Sequence, residues 1–254
     1  MISKNHVKHI QQLHSKKYRE ENALFIIEGI KIVTEFLNSS RYKINEVLAL
    51  PEFISVHKNL LIQNNILFTE INEEELKKIS AQQSPNQVLA IVQSLTHSAN
   101  HINSEEELCL FLDDIRDPGN LGTIIRIADW FGIKHVFCSQ HCTELYNPKT
   151  LQATMGAILR VQVTYTAFDD LFAANKNTPI YGAILNGENI YTKKLTKGII
   201  VIGNEANGIS DKVLSHITSP ITIPSAVING SESLNAANAC AIICSEFHRQ
   251  LNYN

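Results

Sequence analysis

Short apolar runs alternate with helix-like periodic stretches over the first 95 residues. The apolar runs predict four strands, at residues 24–27, 44–50, 66–71 and 88–93. The periodic stretches predict helices at residues 3–20, 30–37 and 53–63, and another after Asn72. Asn72 and Glu75 have the spacing of a capping box, which marks the start of that last helix. We therefore predict a small α/β/α unit.

The periodic pattern stops after residue 93. Residues 94–105 (SLTHSANHINSE) are polar and aperiodic, and we place an interdomain linker at residues 96–105. The chain is thereby divided into a first domain, residues 1–95, and a second domain, residues 106–254.

The second domain shows a repeated strand–helix alternation. Strands are predicted at residues 108–112, 135–138, 161–165, 180–185, 199–202 and 221–223. Helices are predicted at residues 121–131, 149–155 and 169–174, and from near Ser233 onward. This order implies a parallel sheet covered on both faces, with functional loops beyond the carboxyl ends of its strands.

The helix that begins near Ser233 has an unusual composition. Its first turns consist largely of small residues, which let another backbone approach closely: Ala236, Ala237, Ala239, Cys240 and Ala241. Polar residues crowd its start: Ser231, Ser233, Asn235 and Asn238. A helix start of this kind suits an electron-rich ligand, but it is equally typical of a well-capped helix.

Composition limits the classes of protein that fit. The hydrophobic content of 44% and the charged content of 19% are typical of a soluble globular protein, and the net charge of −3 gives no general basic character. The five cysteines lack CxxC spacing, so we expect reduced core thiols and no metal site. No apolar run resembles a signal peptide or a membrane span, so we expect a cytoplasmic protein.

Positive charge is concentrated near the amino terminus, at Lys4, Lys8, Lys16, Lys17, Arg19 and Lys31. A solvated helix face is the usual outcome for such a run. The alternative is a surface that contacts RNA phosphates, for which Lys16, Lys17, Arg19 and Lys31 are the candidates.

Three polar loops follow predicted strands of the second domain, at residues 113–122, 203–210 and 225–235. Gly203 and Gly208 have the spacing of a phosphate-binding loop, but Ile209 and Ser210 stand where it requires Lys followed by Ser or Thr. No G-x-G-x-x-G follows a strand, and no G-x-S-x-G occurs. The common nucleotide-binding and hydrolase motifs are therefore absent.

The segments DDIRDPGNLGTIIRIADWFGI, IVIGNEANGIS and ITIPSAVINGSESLNAANACAIICSEF resemble the three motifs of the SpoU/TrmH-type RNA 2′-O-ribose methyltransferases, of the SPOUT class. PKTLQATMGAILRVQV resembles the family's connecting segment. The resemblance covers residues 108–247, with the motifs in family order. Residues 3–93 are similar to the ribosomal-protein-like substrate-binding domain that often precedes it. The loop at residues 224–232 is about two residues longer than the family's usual form, with Ser225 where Met is common.

The resemblance implies a trefoil-knotted α/β domain, a homodimer, an RNA substrate and S-adenosylmethionine as the cofactor. It implies catalytic roles for Asn120, Arg126, Glu205, Ser233 and Asn235. It also implies a cofactor site formed by Leu185, Gly187, Ile202, Gly203, Asn204, Ile223, Ser233 and Leu234. Ribosomal RNA is the expected substrate. A transfer-RNA methyltransferase and a non-catalytic RNA-binding assembly factor with a vestigial pocket are the alternatives.

Methyl transfer to a ribose hydroxyl needs a positioned hydroxyl, a route for its proton and exclusion of water, but no covalent intermediate. A guanidinium stays protonated at neutral pH, so we expect Arg126 to act as a fixed cation that can also contact RNA. The structural alternative is an ion pair of Arg126 with Asp113, Asp114 or Asp117. The structural alternative for Glu205 is a turn carboxylate that bonds its own backbone.

Overall fold

The computed structural model describes residues 2–95, 107–227 and 233–253. The predicted linker at residues 96–105 lies outside this range, as does the stretch 228–232 of the long third loop. The chain forms two compact units. The first contains Met1–Thr96 and Tyr146–Leu159, and the second contains His97–Leu145 and Arg160–Asn254.

The first unit is built on a four-stranded sheet with the order β1-β4-β2-β3. Strand β4 is antiparallel to both β1 and β2, whereas β2 and β3 are parallel. The elements up to residue 95 are α1 (Lys4–Gln12), α2 (Lys16–Asn22), β1 (Leu24–Glu28), α3 (Ile30–Leu37), β2 (Ile44–Ala49), α4 (Pro51–Gln63), β3 (Leu67–Glu70), α5 (Glu73–Ile79) and β4 (Val88–Gln93). All four predicted strands are present, so the predicted α/β unit is confirmed.

The single helix predicted over residues 3–20 is wrong, because two helices occupy this stretch. Leu13 ends α1 with its side chain buried, and Ser15 is the N-cap residue of α2. The Leu13 carbonyl accepts a hydrogen bond from Arg19 Nη1 at 2.9 Å. Burial of Leu13 and this bond to its carbonyl stabilise the break.

The predicted capping box at the start of α5 is confirmed. The Asn72 side chain accepts a hydrogen bond from the Glu75 N–H at 2.9 Å, and the Glu75 carboxylate accepts one from the Asn72 N–H at 3.2 Å. The Glu75 carboxylate also accepts a bond from the Ile2 N–H at 2.9 Å. The bonds from the Ile2 and Asn72 N–H groups lower the pKa of Glu75 because they stabilise its charged form, and the bond from Ile2 has the larger effect.

The second unit is built on a six-stranded sheet with the order β10-β8-β9-β5-β6-β7, and every neighbouring pair is parallel. The remaining elements are β5 (Leu108–Leu112), α6 (Pro118–Trp130), β6 (His135–Cys138), α7 (Pro148–Thr154), a 3-10 turn (Ala157–Leu159), β7 (Gln162–Tyr165), α8 (Phe168–Ala174), β8 (Ile180–Asn189), β9 (Gly198–Ile202), α9 (Asp211–Leu214), β10 (Ser219–Thr222) and α10 (Ala236–Asn252). The predicted parallel α/β fold is confirmed. Strand β8 extends four residues beyond its predicted end at residue 185, and the short helix α9 was not predicted.

The segment Tyr146–Leu159 packs with the first unit, although it lies within the range predicted for the second domain. We call it the docking segment. It contains α7, which packs against β1. The Tyr146 ring stacks on Phe25 with a centroid separation of 4.3 Å. Sequence periodicity does not reveal such a contact, because the two rings are far apart in the chain.

All five cysteines are free and buried, in agreement with the prediction of reduced core thiols. Burial raises the pKa of Cys109 to about 12, with a smaller contribution from the nearby Glu107 carboxylate. A thiol of this kind is chemically inert at neutral pH. Within the described ranges no helix is long and apolar enough to cross a bilayer.

Helix α10 packs on α6, and several of the small residues near its start are buried. Ala236, Ala237 and Cys240 are buried, whereas Ala241 is half-buried. The close packing predicted for this helix is therefore present on one side.

Replacing Ala237 with leucine should destabilise the fold by roughly 1–3 kcal/mol, because a buried position in a packed helix contact has no room for the larger side chain. Ala241→Leu should cost less, since its site is half-buried. The exposed Ser245→Leu on the same helix is the control. Thermal unfolding should rank the three variants in that order, and equal melting temperatures would contradict the packing assignment.

Candidate active site

Three of the five predicted catalytic residues are joined by hydrogen bonds. Asn120 Nδ2 donates to Glu205 Oε1, and Asn235 Nδ2 donates to Asn120 Oδ1 at 3.0 Å. These residues come from the start of α6, the loop after β9 and the start of α10. Along the chain, Asn120 is 85 residues away from Glu205 and 115 residues away from Asn235. The fold therefore brings together three predicted motifs in one polar cluster, which we call the amide–carboxylate cluster.

Asn120 is positioned by the start of α6. Asp117 is the N-cap residue, and its Oδ1 accepts a hydrogen bond from the Asn120 N–H at 2.8 Å. Pro118 is compatible with the first helical turn, where its missing N–H costs nothing. Helix α6 thus begins three residues before the predicted position, and Asn120 lies in its first turn with a fixed backbone.

Glu205 is held in a tight loop at the end of β9. The Asn204 side chain accepts hydrogen bonds from the Ala206 and Asn207 N–H groups at 2.9 and 3.1 Å. Asn204 Nδ2 donates to the Asp114 carbonyl at 2.8 Å, which ties this loop to the one after β5. The Glu205 carboxylate bonds Asn120, so the structural alternative of a carboxylate bonding its own turn is not what the structure shows.

Gly203 lies where a side chain has no room. A Cβ at this position would lie 2.3 Å from the Gly208 carbonyl carbon and 2.4 Å from the Ile209 nitrogen. The glycine therefore allows the loop to close on itself, and this closure sets the position of the Glu205 backbone.

Asn235 is the N-cap residue of α10. Its Oδ1 accepts hydrogen bonds from the Ala237 and Asn238 N–H groups at 3.0 and 3.3 Å. With the oxygen committed to the helix, the amide nitrogen points the other way and donates to Asn120. The capping interpretation of this helix start is therefore confirmed, whereas the electron-rich-ligand interpretation stays a prediction.

Arg126 lies on the exposed side of α6. Within the described part of the chain, no hydrogen bond or ion pair engages its guanidinium. The aspartates considered as alternative partners bind elsewhere. Asp113 accepts from the Ser210 N–H at 2.8 Å, Asp114 pairs with Arg116 at 2.9 Å, and Asp117 caps α6. Arg126 is therefore available for a ligand.

Ser233 is exposed two residues before Asn235, just before the start of α10. Asp113 and Asp114, which were considered only as partners of Arg126, connect the loops around the site. Asp114 has a positive φ of 60°, a turn conformation that Asp tolerates better than most residues. Two acidic residues directly after a buried strand were the sequence signal for this linking role.

Six of the eight residues predicted to bind the cofactor lie on or directly after three neighbouring strands, β10, β8 and β9, whereas Ser233 and Leu234 lie just before α10. Ile202 ends β9, with Gly203 and Asn204 after it, and Ile223 follows β10. Leu185 and Gly187 lie on β8, where pairing with β10 is interrupted between Pro220 and Ile221. These positions lie towards the carboxyl ends of parallel strands, which is where ligands bind in open α/β folds.

Two apolar side chains are exposed in these stretches. Leu185 is 71% exposed and Leu234 is 49% exposed. Gly187 packs against the Ile221 backbone, and a Cβ there would lie 2.4 Å from the Ile221 carbonyl carbon. Exposed apolar side chains of this kind suit a ligand that carries an aromatic base.

The candidate RNA-contacting residues divide into two groups. Lys16, Lys17 and Lys31 are exposed. Lys16 and Lys17 lie 3.6 and 3.9 Å from Glu20 and Glu21 one helical turn away, so part of their charge is already compensated. Arg19 does not belong to this surface, because it is 6% exposed and its guanidinium stabilises the break between α1 and α2.

A cavity of about 370 Å³ lies at the opposite end of the strands of the second sheet, near the amino ends of β5, β6 and β9. It is lined in part by Leu108, Lys134, Lys197 and His248. None of the predicted site residues lines it. Among the described residues there is no group of three or more His, Cys, Asp or Glu side chains that could hold a metal ion.

Residues 107–245 match the model of the SpoU rRNA methylase family. This match covers more than half of the chain. The chain belongs to the SpoU rRNA methylase family. Residues 4–90 match the model of the MRM3-like substrate-binding domain. The predicted SpoU/TrmH relationship is therefore confirmed.

Individual relatives agree with this membership. The chain is 28% identical to the Bacillus subtilis 23S rRNA (guanosine(2553)-2′-O)-methyltransferase RlmP over 243 residues, which is 93% of each chain. A structure from Porphyromonas gingivalis, assigned to the TrmH family of RNA methyltransferases, is 35% identical with a TM-score of 0.86, covering 98% of this chain and 99% of that one. An AdoMet-bound rRNA methyltransferase from Sinorhizobium meliloti is 26% identical with a TM-score of 0.88, covering 100% and 97%.

Proposed function

We propose that this SpoU-family protein transfers a methyl group from S-adenosylmethionine to a ribose 2′-hydroxyl of ribosomal RNA. The amide–carboxylate cluster is the observation that carries the proposal. It holds Asn120, Glu205 and Asn235 together at the carboxyl ends of the strands, and the exposed Arg126 lies on the same helix as Asn120.

The residues at this edge fit the cofactor. S-adenosylmethionine supplies a methyl group that its sulfonium centre has already activated for displacement. Leu185 and Leu234 offer exposed apolar surface to an adenine ring. The Glu205 carboxylate offers negative charge near a cationic centre. Gly203, Asn204 and Ile223 would contact the cofactor through backbone groups at the strand ends.

The cluster can fix the hydroxyl and accept its proton. Asn235 orients Asn120, and Asn120 donates to one oxygen of Glu205, so the carboxylate is held in one orientation. A positioned carboxylate can accept a proton from a bound hydroxyl. Arg126 would stabilise the negative charge that develops on the ribose oxygen and orient a phosphate. Ser233 lies close in sequence to Asn235 and would bind RNA or cofactor by its hydroxyl.

Ribosomal RNA is favoured over transfer RNA by the relatives. The Bacillus relative, which matches over 93% of both chains, methylates 23S rRNA according to its name. The first unit matches a substrate-binding domain over residues 4–90. We propose that this unit selects the RNA. The cytoplasm, where ribosomes are assembled in bacteria, is the proposed location.

A homodimer is proposed as the working state, together with the knot that the family resemblance implies. Helix α10 uses one side to pack on α6. Half-buried Ala239, Ala241 and Ile242 on this helix leave small apolar surface for a second copy.

The phosphate-contacting role of α2 predicts a change in salt dependence. Replacing Lys16 and Lys17 together with glutamine should weaken RNA binding and reduce the magnitude of the slope of log K against log salt by up to about 1.8, if each contacts a phosphate. Arg19 is left unchanged because it is buried. The matched control is Lys77→Gln with Lys78→Gln, which removes the same charge from α5 of the same unit. Equal slopes in both double variants would make α2 an ordinary solvated helix.

The proposed activity is tested with purified protein, S-adenosylmethionine carrying a labelled methyl group, and an unmodified 23S rRNA transcript. Label should enter the transcript, and ribose-methylation mapping should place it at one 2′-hydroxyl. A transfer-RNA transcript assayed in parallel tests the runner-up substrate. Calorimetry with S-adenosylmethionine separates an enzyme from an assembly factor, since a vestigial pocket should show no heat of binding. Absence of both label and heat would contradict the proposal.

A further inference from the structure

Asp114 adopts a backbone conformation that aspartate tolerates but does not prefer. It lies in the connection between β5 and α6, residues 113–117, which we call the Asp114 turn. Its φ of 60° is in the left-handed region, where the side chain of an L-residue is crowded by the backbone. A conformation of this kind persists only when the surrounding structure holds it in place. The Asp114 turn therefore depends on contacts that fix its backbone.

Two side chains that follow β6 bind successive backbone N–H groups of the Asp114 turn. Ser139 Oγ accepts a hydrogen bond from the Asp114 N–H at 2.9 Å. Cys142 Sγ accepts one from the Ile115 N–H at 3.2 Å. These two N–H groups lie on either side of the Asp114 Cα. Ser139 and Cys142 thus hold both ends of the strained residue.

The sulfur acceptor is itself fixed by the sheet. Cys142 is buried, and its Sγ donates to the carbonyl of Leu112, the last residue of β5, at 3.3 Å. The Cys142 N–H donates to the Ser139 carbonyl at 3.1 Å, so the two acceptor residues belong to one turn. The Thr143 N–H adds a bond to the Ile115 carbonyl at 2.8 Å. The Cys142 sulfur therefore bridges the end of β5 and the Asp114 turn.

The other contacts of the Asp114 turn lead to the amide–carboxylate cluster. The Asp114 carbonyl accepts a hydrogen bond at 2.8 Å from the side chain of Asn204, which directly precedes Glu205. The turn ends at Asp117, which caps α6 and binds the Asn120 N–H at 2.8 Å. The conformation of Asp114 therefore sets where its carbonyl meets the Glu205 loop and where the helix that carries Asn120 begins.

We propose that Ser139 and Cys142 are positioning residues for methyl transfer, which hold Asp114 in the left-handed conformation and thereby align Asn120 with Glu205. They act through the backbone of the Asp114 turn and do not touch the substrate. The inference rests on the proposed function, because it takes the amide–carboxylate cluster as the site of methyl transfer. The contacts that carry it lie within the second unit.

The test removes the two acceptors and then restores one of them. Ser139→Ala and Cys142→Ala each leave one N–H group of the turn without its acceptor, whereas Cys142→Ser supplies a hydroxyl that can bind the Ile115 N–H. Single-turnover methyl transfer to a 23S rRNA transcript is measured at saturating cofactor and RNA. Cys142→Ala should be about tenfold slower than the wild type and the double variant on the order of 10²-fold slower, because small misplacements of reacting groups have effects of that size. Cys142→Ser should keep most of the wild-type rate.

Cys109→Ala is the matched control for the loss of a buried sulfur. Cys109 is fully buried on β5 of the same unit. Among the described residues, no hydrogen bond joins its thiol to the Asp114 turn. The control thus removes the same atom from the core without removing an acceptor from the turn, and its rate should stay near that of the wild type.

Substitutions of Asp114 separate positioning from a general loss of stability. Glycine adopts a positive φ without steric crowding, so the turn depends less on its two acceptors. Asp114→Gly added to the double variant should therefore recover about tenfold in rate. Asp114→Val, which disfavours a positive φ, should recover nothing. Both substitutions remove the bond to the exposed Arg116, so that loss does not distinguish them.

A spectroscopic readout follows the cluster without methyl transfer. In protein isotopically labelled at asparagine nitrogen, the side-chain resonances of Asn120 and Asn235 report their hydrogen bonds in the cluster. These resonances should shift in the double variant, return towards their wild-type positions when Asp114→Gly is added, and stay in place in Cys109→Ala. If the double variant does not fold, Cys142→Ala replaces it in both measurements.

Two results would overturn the inference. One is a variant without the acceptors whose Asn120 and Asn235 resonances match those of the wild type. The other is a loss of rate that Cys109→Ala shares, or that Asp114→Gly and Asp114→Val leave equally uncorrected. Resonances that shift and recover as expected in a protein that transfers no methyl group to RNA would instead reject the proposed function and leave the positioning role intact.

Discussion

Replacing Arg126 with alanine should reduce the single-turnover rate of methyl transfer by at least 10²–10³-fold, roughly the value of one positioned donor at a developing charge. Arg126 is exposed on α6, six residues after Asn120, and no ion pair among the described residues holds it. Its loss should therefore cost little stability. S-adenosylmethionine affinity should stay close to that of the wild type, because the residues proposed to bind the cofactor lie on other elements.

Arg126→Lys distinguishes a point charge from a planar donor. Lysine keeps the positive charge but cannot make two parallel hydrogen bonds, so it should recover only part of the lost rate. The control is Arg116→Ala, since Arg116 is an exposed cation of the preceding loop that already pairs with Asp114. Its rate should remain near that of the wild type.

The dependence of rate on pH tests whether Arg126 is a fixed cation or the base. If Arg126 is a fixed cation, any titration seen in the pH dependence of the wild-type rate should persist in Arg126→Lys. Only the maximal rate should be lower. If the wild-type rate follows a titration near neutrality that vanishes in Arg126→Lys while RNA and cofactor still bind, then Arg126 removes the ribose proton and the fixed-cation account is wrong.

Local sequence pattern predicted the strands well because a buried parallel strand is a short, continuous apolar run. Strand β5 is an example, since its predicted and observed limits are both Leu108–Leu112. The parallel arrangement followed from the alternation of strands and helices. Strand β8 was predicted too short because its last residues, from Asn186 to Asn189, are polar and resemble a loop.

Contacts between distant parts of the chain were beyond the reach of these patterns. Arg19 looked like one more exposed cation of a basic helix, but the break at Leu13 turns it inward, where it binds a backbone carbonyl. The docking segment was likewise assigned to the second domain by its place in the sequence, whereas its aromatic and close-packed contacts lie on the first unit. Neither result has a local sequence signal.

The sequence predicted which residues form the candidate site better than it predicted the hydrogen bonds between them, which are the internal order of the site. The motif resemblance singled out Asn120, Glu205 and Asn235, but it did not indicate that they bond one another. The direction of those bonds depends on the start of α10, because Asn235 commits its oxygen to the helix and can offer only its nitrogen to Asn120. An asparagine at an N-cap is common, so its second bond was visible only in the structure.

This internal order predicts that Asn120 and Glu205 act as one unit. Glu205→Gln should lower the single-turnover rate on the order of 10²-fold or more if the carboxylate accepts the ribose proton. Asn120→Ala should also lower it, because the carboxylate loses the bond that orients it. Once either partner is gone, removing the other should matter little. The double variant should therefore be no more than about threefold slower than the slower single variant.

A double-mutant cycle measured at saturating cofactor and RNA checks this expectation. The control is Asn207→Ala, which lies in the same loop as Glu205 and makes its bond to Asn204 through the backbone N–H. That variant should keep the wild-type rate and combine additively with Asn120→Ala. If the losses of Asn120→Ala and Glu205→Gln multiply in the double variant, the two residues act independently. The hydrogen bond between them then has no catalytic role, and Glu205 must be oriented by the tight turn at Asn204 alone.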